Sequence, residues 1–256
     1  MRPDLRSADL HVTVVVTRIQ KGNRISNMGN LLSHIKSDLT GRGVASTVDS
    51  PDGAPHDTID EWGVFASTTE ALTLTILTEL VRRAGEHPEV PSSVAAIVGG
   101  VYAAELDHWL FTSKHWEPST TRFWIPDGFY GGEGDALDLT AVGKGVAAGE
   151  HLFVNTYLLG VTTFAAAGNS TYARYAAELA ANESEHRLLG QTLAGASPPN
   201  DLGFADFEFD SVSQIAAAAQ SAGFGFGEQG TAAGRFYDLP QSPMAPPVQI
   251  SSNEPR

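Results

Sequence analysis

Two segments of the chain repeat one spacing. AAELDHWLF (103–111) sets Glu105 three residues before His108, and ANESEHRLLG (181–190) sets Glu183 three residues before His186. On an α-helix, positions i and i+3 are neighbours on one face, so each segment can turn a carboxylate and an imidazole into one pocket. Carboxylate oxygen together with imidazole nitrogen suits iron or manganese, with zinc also possible. A solvated helix face is the plain alternative for either segment alone.

The elements that must position these residues are four helices. WGVFASTTEALTLTILTELVRRAG is long and apolar and ends in two arginines and a glycine, as helix C-termini often do. EHPEVP makes a turn, and VPSSVAAIVGGVYAAELDHWLFTSKHW is the second helix, with its serines available as caps. The 23-residue stretch EPSTTRFWIPDGFYGGEGDALDL lacks a helical period and is expected to be a long crossover. LTAVGKGVAAGEHLFVNTYLLGVTTFAAAG is the third helix, Gly168-Asn169 a short turn, and STYARYAAELAANESEHRLLGQTLAG the fourth, with Ser170 as its cap. This gives an all-α fold: a four-helix bundle over 61–195 and a C-terminal region at 196–256. That region holds a short helix near 211–222 with Phe204, Phe207, Phe209, Phe224 and Phe226 around it, packing it onto the bundle, and a proline-rich end after Leu239. Residues 1–60 read as an N-terminal extension, with HVTVVVTRI as a strand, MGNLLSHIKSDL as a short helix, and His34 and His56 at the surface.

Register decides whether the two pairs can meet. With the first turn centred at Pro88, Glu105 lies 17 residues after the centre and Glu70 lies 18 before it. At about 1.5 Å of rise per residue they are level, whereas Glu79 falls more than about 10 Å out of plane and is expected to be peripheral or in a salt bridge. About the second turn, Glu150 is level with His186 and one helical turn from Glu183. Glu70 and Glu105 are 35 positions apart, Glu150 and Glu183 are 33. A scattered surface does not predict that duplication. The expected ligands are therefore Glu70, Glu105, His108, Glu150, Glu183 and His186 around two metals, with Glu105 and Glu183 bridging and the others terminal. Tyr102 and Tyr157 are placed near the pocket or in the core, and His151 beside it or facing outward.

Composition excludes several other functions. Cysteine is absent, so thiolate ligands, thiol nucleophiles and disulfides are ruled out. The net charge is −14, and beyond residue 60 there are 9 Lys/Arg against 23 Asp/Glu, which disfavours a nucleic-acid partner. VTVVV is too short to span a membrane. MRPDLRSADLH lacks the pattern of an export signal, so as written the chain is expected in the cytoplasm, or outside it if a signal has been removed. No GxGxxG or GxxxxGK[ST] follows a strand, so the glycines around 141–168 are not read as a nucleotide loop.

The order Glu, Glu-x-x-His, Glu, Glu-x-x-His, with a long connection between the second and third helices, resembles the di-iron pattern of the ferritin-like superfamily. PPNDLGFADFEFDSVSQIAAAAQSAGFGFG followed by GRFYDLP is similar, more narrowly, to the desiccation-related and stress-related ferritin-like proteins. The resemblance covers about residues 62 to 240 and implies that the same six residues are metal ligands. It implies iron or manganese, two per chain, with dioxygen or peroxide as co-reactant. The crossover and the extra C-terminal segment argue against a 24-subunit storage cage, though not against a smaller homo-oligomer. Three functions stay open: oxidase or peroxide-consuming chemistry in stress protection, a non-catalytic structural or interaction bundle, and small-molecule monooxygenation with FWIPDGFY over a substrate channel.

Overall fold

The computed structural model describes residues 57–251, and the expectations for residues 1–56 lie outside them. Four long helices dominate: α1 (Ile59–Glu86), α2 (Ser92–Ser113), α3 (Leu139–Ala166) and α4 (Ser170–Leu193). Packing is closest between α3 and α4 and between α1 and α2, and α1 also meets α3 while α2 meets α4. A short helix α5 (Val212–Ser221) follows, leaning on α3 and α1.

Helix ends follow their local chemistry, in part against expectation. α1 begins three residues before the apolar run, because Thr58 and Glu61 form a reciprocal capping box. The Thr58 N–H donates to Glu61 Oε2 at 2.8 Å, and the Glu61 N–H donates to Thr58 Oγ1 at 3.2 Å. Ser170 is the first helical residue of α4 and not its cap; the cap is Asn169, whose Oδ1 accepts from the Tyr172 N–H at 3.2 Å. Asn and Ser compete for this role, and the preceding Gly168, at φ 73°, sets the chain so that Asn169 takes it. α2 starts after Pro91 with no side-chain cap at all, so its serines do not serve.

The crossover holds a structure that the all-α expectation lacks. Its RFWIP segment is strand β1 (Arg122–Pro126), the centre of a three-stranded antiparallel sheet flanked by β2 (Gly225–Phe226) and β3 (Gly234–Asp238). Phe123 pairs with Phe226 on one side and Tyr237 on the other. The C-terminal region thereby fastens the crossover from both edges. Arg83, buried on α1, ties the same parts together: it donates to Glu79 Oε1 at 2.7 Å, the Ala136 carbonyl at 2.5 Å and the Tyr237 hydroxyl at 3.0 Å, with its guanidinium 4.1 Å above the Tyr130 ring. Glu79 is in a salt bridge, as register placed it. Of the tail phenylalanines, Phe207, Phe209, Phe224 and Phe226 pack on the core, while Phe204 is 83% exposed. The proline-rich end lies against α2, with Pro247 and Val248 over Gly99.

One glycine on α3 and one on α4 have a packing role. A Cβ on Gly143 would sit 2.4 Å from the Ala194 backbone nitrogen, and one on Gly190 would sit 2.8 Å from that of Ala147. These two positions let α3 and α4 approach backbone to backbone.

Two apolar clusters fill the interior. One gathers Leu74, Leu77 and Val142, with Val146, Leu189 and Leu193 against it. The other gathers Trp62, Ala66, Phe153, Tyr157 and Leu179. On α1, α3 and α4 the chain passes from one cluster to the other at Glu70, Glu150 and Glu183–His186. The expected ligands occupy that seam. Among the described residues α1 alone is long and apolar enough to cross a membrane, and 72% of its most apolar stretch is buried inside the fold.

Candidate metal centre

Each of the four long helices brings its acid, with or without a histidine, to one interior point. Glu70, Glu105 and Glu183 are wholly inaccessible, and Glu150, His108 and His186 are also buried. Ligand atoms fall into two groups, each within 4.8 Å: Glu70, Glu105, His108 and Glu183 form one, and Glu105, Glu150, Glu183 and His186 form the other. Glu105 and Glu183 belong to both. Each group adds one acid from a helix that lends no histidine to the cluster, Glu70 of α1 or Glu150 of α3, and one histidine from α2 or α4.

The contacts cross between helices. His186 Nδ1 is 2.6 Å from Glu105 Oε1 and 3.1 Å from Glu183 Oε2. His108 Nδ1 is 3.0 Å from Glu183 Oε1 and 3.4 Å from Glu105 Oε2. Each imidazole nitrogen thus sits between the same two carboxylates. Among the described residues, ten buried side-chain polar atoms have no hydrogen-bond partner, and six belong to this cluster: one oxygen each of Glu70, Glu150 and Glu183, both of Glu105, and His108 Nδ1. Glu105 Oε1 approaches His186 closely without hydrogen-bond geometry. Donor atoms that converge on a common space, and satisfy each other poorly, are what a cation site requires.

The electrostatics of the cation-free cluster are strained in the same direction. Burial, then the negative charges of Glu105 and Glu183, push Glu70 well above the usual carboxylate range; the same causes, Glu183 before Glu105, raise Glu150. For Glu105 burial works upward too, but the charges of His186 and His108 outweigh it and hold the carboxyl well below its ordinary value. Burial disfavours charge on both histidines, yet Glu183 and Glu105 raise His108 and Glu105 raises His186 well above the ordinary imidazole. Four carboxyl groups this close cannot all ionise in a dry interior without positive charge among them. The two imidazoliums supply some of it, and divalent cations bound by neutral imidazole can supply more.

The neighbouring residues separate clearly. The Tyr157 hydroxyl donates a very short hydrogen bond to Glu70 Oε1, and burial with the Glu70 charge raises the phenol well above its ordinary value. Tyr102 is buried but donates to the Met244 carbonyl at 3.3 Å, toward the C-terminal end. His151 faces away from Glu150, with Nε2 3.2 Å from Glu208. The Tyr157 contact follows from its position seven residues, two helical turns, after Glu150; its partner on α1 had no sequence signal. The donor set is carboxylate and imidazole, so these buried Glu/His clusters can hold a metal ion.

Searches against protein-family models, curated proteins and solved structures each return no match for this chain.

Proposed function

We propose that the chain is a ferritin-like protein whose six residues hold two iron or manganese ions, and that it consumes dioxygen or peroxide in a protective role. The observation that carries this reading is the sharing of Glu105 and Glu183 by both ligand groups. On this reading Glu105 and Glu183 would be shared by both ions, with Glu70 and His108 completing one ligand set and Glu150 and His186 the other. When bound, iron or manganese supplies Lewis acidity and electron exchange with an oxygen species.

The chain's own groups prepare that chemistry. Glu70 and Glu150 release their protons, and both imidazoles become neutral, as cations enter; binding therefore liberates protons. Tyr157 would hold the orientation of Glu70, since its hydroxyl donates to Glu70 Oε1. The apolar clusters on either side keep bulk water out and so strengthen every charge interaction inside.

Elemental analysis tests the proposal. Protein made in medium rich in iron and manganese, and purified without added metal, is expected to carry about two ions per chain. Glu105→Ala and Glu183→Ala are each expected to lose both. No metal in the wild-type chain, or two tightly held ions in either variant, would overturn the assignment. Oxygen uptake after Fe(II) loading separates the oxidase from a structural bundle.

A further inference from the structure

The wall of the centre at Glu150 is also the wall of a cavity. A hollow of about 570 Å³ lies between α1, α3, α5 and the crossover, and Phe65, Ile76, Phe129, Phe153, Ile215 and Phe226 typify its lining. Glu150 is the one ionisable residue in that lining. The Thr69 and Thr156 hydroxyls beside it donate to carbonyls of their own helices, which leaves the Thr73 hydroxyl as the one side-chain hydroxyl of the lining that can meet a polar atom of a ligand. Partly open to solvent, this hollow has the size and apolar surface of a small-molecule pocket.

We propose that this cavity binds a neutral, predominantly hydrocarbon molecule and presents it to the metal centre at Glu150. The lining states the chemistry. A carboxylate or phosphate head would be buried without a Lys, Arg or His to pair with it. An organic cation would find a single counter-charge in the lining, the Glu150 carboxylate, which also lies within 4.8 Å of ligand atoms of Glu105, Glu183 and His186. Dispersion and release of water from five phenylalanine faces and the aliphatic side chains are left to drive binding. The crossover contributes Pro126, Gly128 and Phe129 to the same lining as Glu150. Presentation to the centre rests on the metal reading above; binding in the cavity does not.

The test uses the full-length, metal-free chain and the uncharged fluorophore N-phenyl-1-naphthylamine. Saturable binding, one site per chain, with enhanced and blue-shifted emission is expected. 1-Dodecanol is expected to displace the probe, and dodecanoate at equal concentration to leave it in place. A Cβ on Gly149 would meet no heavy atom within 4 Å, and this residue lines the cavity. Gly149→Leu therefore fills the hollow from a helix that gains propensity by the change, and weakens the probe by at least about tenfold. Ala219→Leu, from α5 on another wall, is expected to act in the same direction, with circular dichroism reporting that both variants fold. Absence of saturable binding, wild-type affinity in both variants, or equal displacement by dodecanoate would overturn the proposal. Metal content, read separately, distinguishes the two ideas: metal without probe binding sinks only the cavity, and probe binding without metal sinks only the centre.

Discussion

A cluster kept for metal and not for packing should weaken the metal-free fold, and the double substitution Glu105→Leu/His108→Leu measures that directly. It removes one anion and one cation together. The Glu183–His186 pair at 3.1 Å remains, so no single charge is stranded. Both residues are buried, at 0% and 8% exposure, so the leucines fill dry space. Replacing a buried ionic group by apolar side chains of similar volume is neutral or stabilises by about 1–4 kcal/mol. For a unit of this size each kcal/mol moves Tm by about 2–4 °C, so the metal-free variant should melt at or above the metal-free wild type, by up to roughly 16 °C. Metal acts in the opposite sense. At a free concentration of about 1,000 Kd, one bound ion adds about 4 kcal/mol to the wild type, hence about 8–16 °C, and adds nothing to the variant. The assay is scanning calorimetry of both chains after chelator treatment, with and without Mn(II). A variant that melts well below the metal-free wild type yet still rises with Mn(II) would refute the reasoning.

Stability of the metal-free chain should fall as pH rises. Glu70 and Glu150 hold protons in the fold that the unfolded chain releases from about pH 4.5 upward, and His108 and His186 do so from about 6.5, so folding loses free energy through both windows; a pH series of melting curves reads it, and Mn(II) affinity should climb over the same range. Tyr157→Phe leaves Glu70 Oε1 without its donor and should lower Mn(II) affinity about tenfold by calorimetric titration, with the fold intact. Arg83→Met strips partners from Glu79, the Ala136 carbonyl and the Tyr237 hydroxyl and should destabilise by about 3–5 kcal/mol in urea, with metal stoichiometry unchanged. Gly143→Ala forces a Cβ against the Ala194 backbone and should lower Tm despite better helix propensity, whereas Gly100→Ala, with open space around it, should raise Tm by the propensity gain alone.

The helices were legible because their signals are local. The apolar runs and the turn at Gly168-Asn169 placed four helices within a few residues of their observed ends. The capping box at Thr58–Glu61 is equally local, and it starts α1 at Ile59, three residues before Trp62. The sheet was not legible. β2 has two residues, the alternation of buried and less buried positions in β1 lasts only from Arg122 to Ile125 before Pro126 breaks it, and its partners lie about a hundred residues away, so neither a sustained period nor proximity announces the pairing. The cavity has no linear signature either, since Glu150, Phe129 and Ile215 come from three separate stretches.

By itself the sequence determined that Glu105 with His108, and Glu183 with His186, share a helix face, because the helical period is a property of adjacent residues. Equal distances from the turns also placed Glu70 and Glu150, not Glu79, at the same height. Only the tertiary structure decided that His186 stands 2.6 Å from the glutamate of the other helix and 3.1 Å from its own, and that the hydroxyl of Tyr157 reaches Glu70. Contacts across helices depend on how all four backbones pack, which no adjacent residues report; the close α3–α4 approach at Gly143 and Gly190, about one to two helical turns from Glu150 and His186, is one part of that packing.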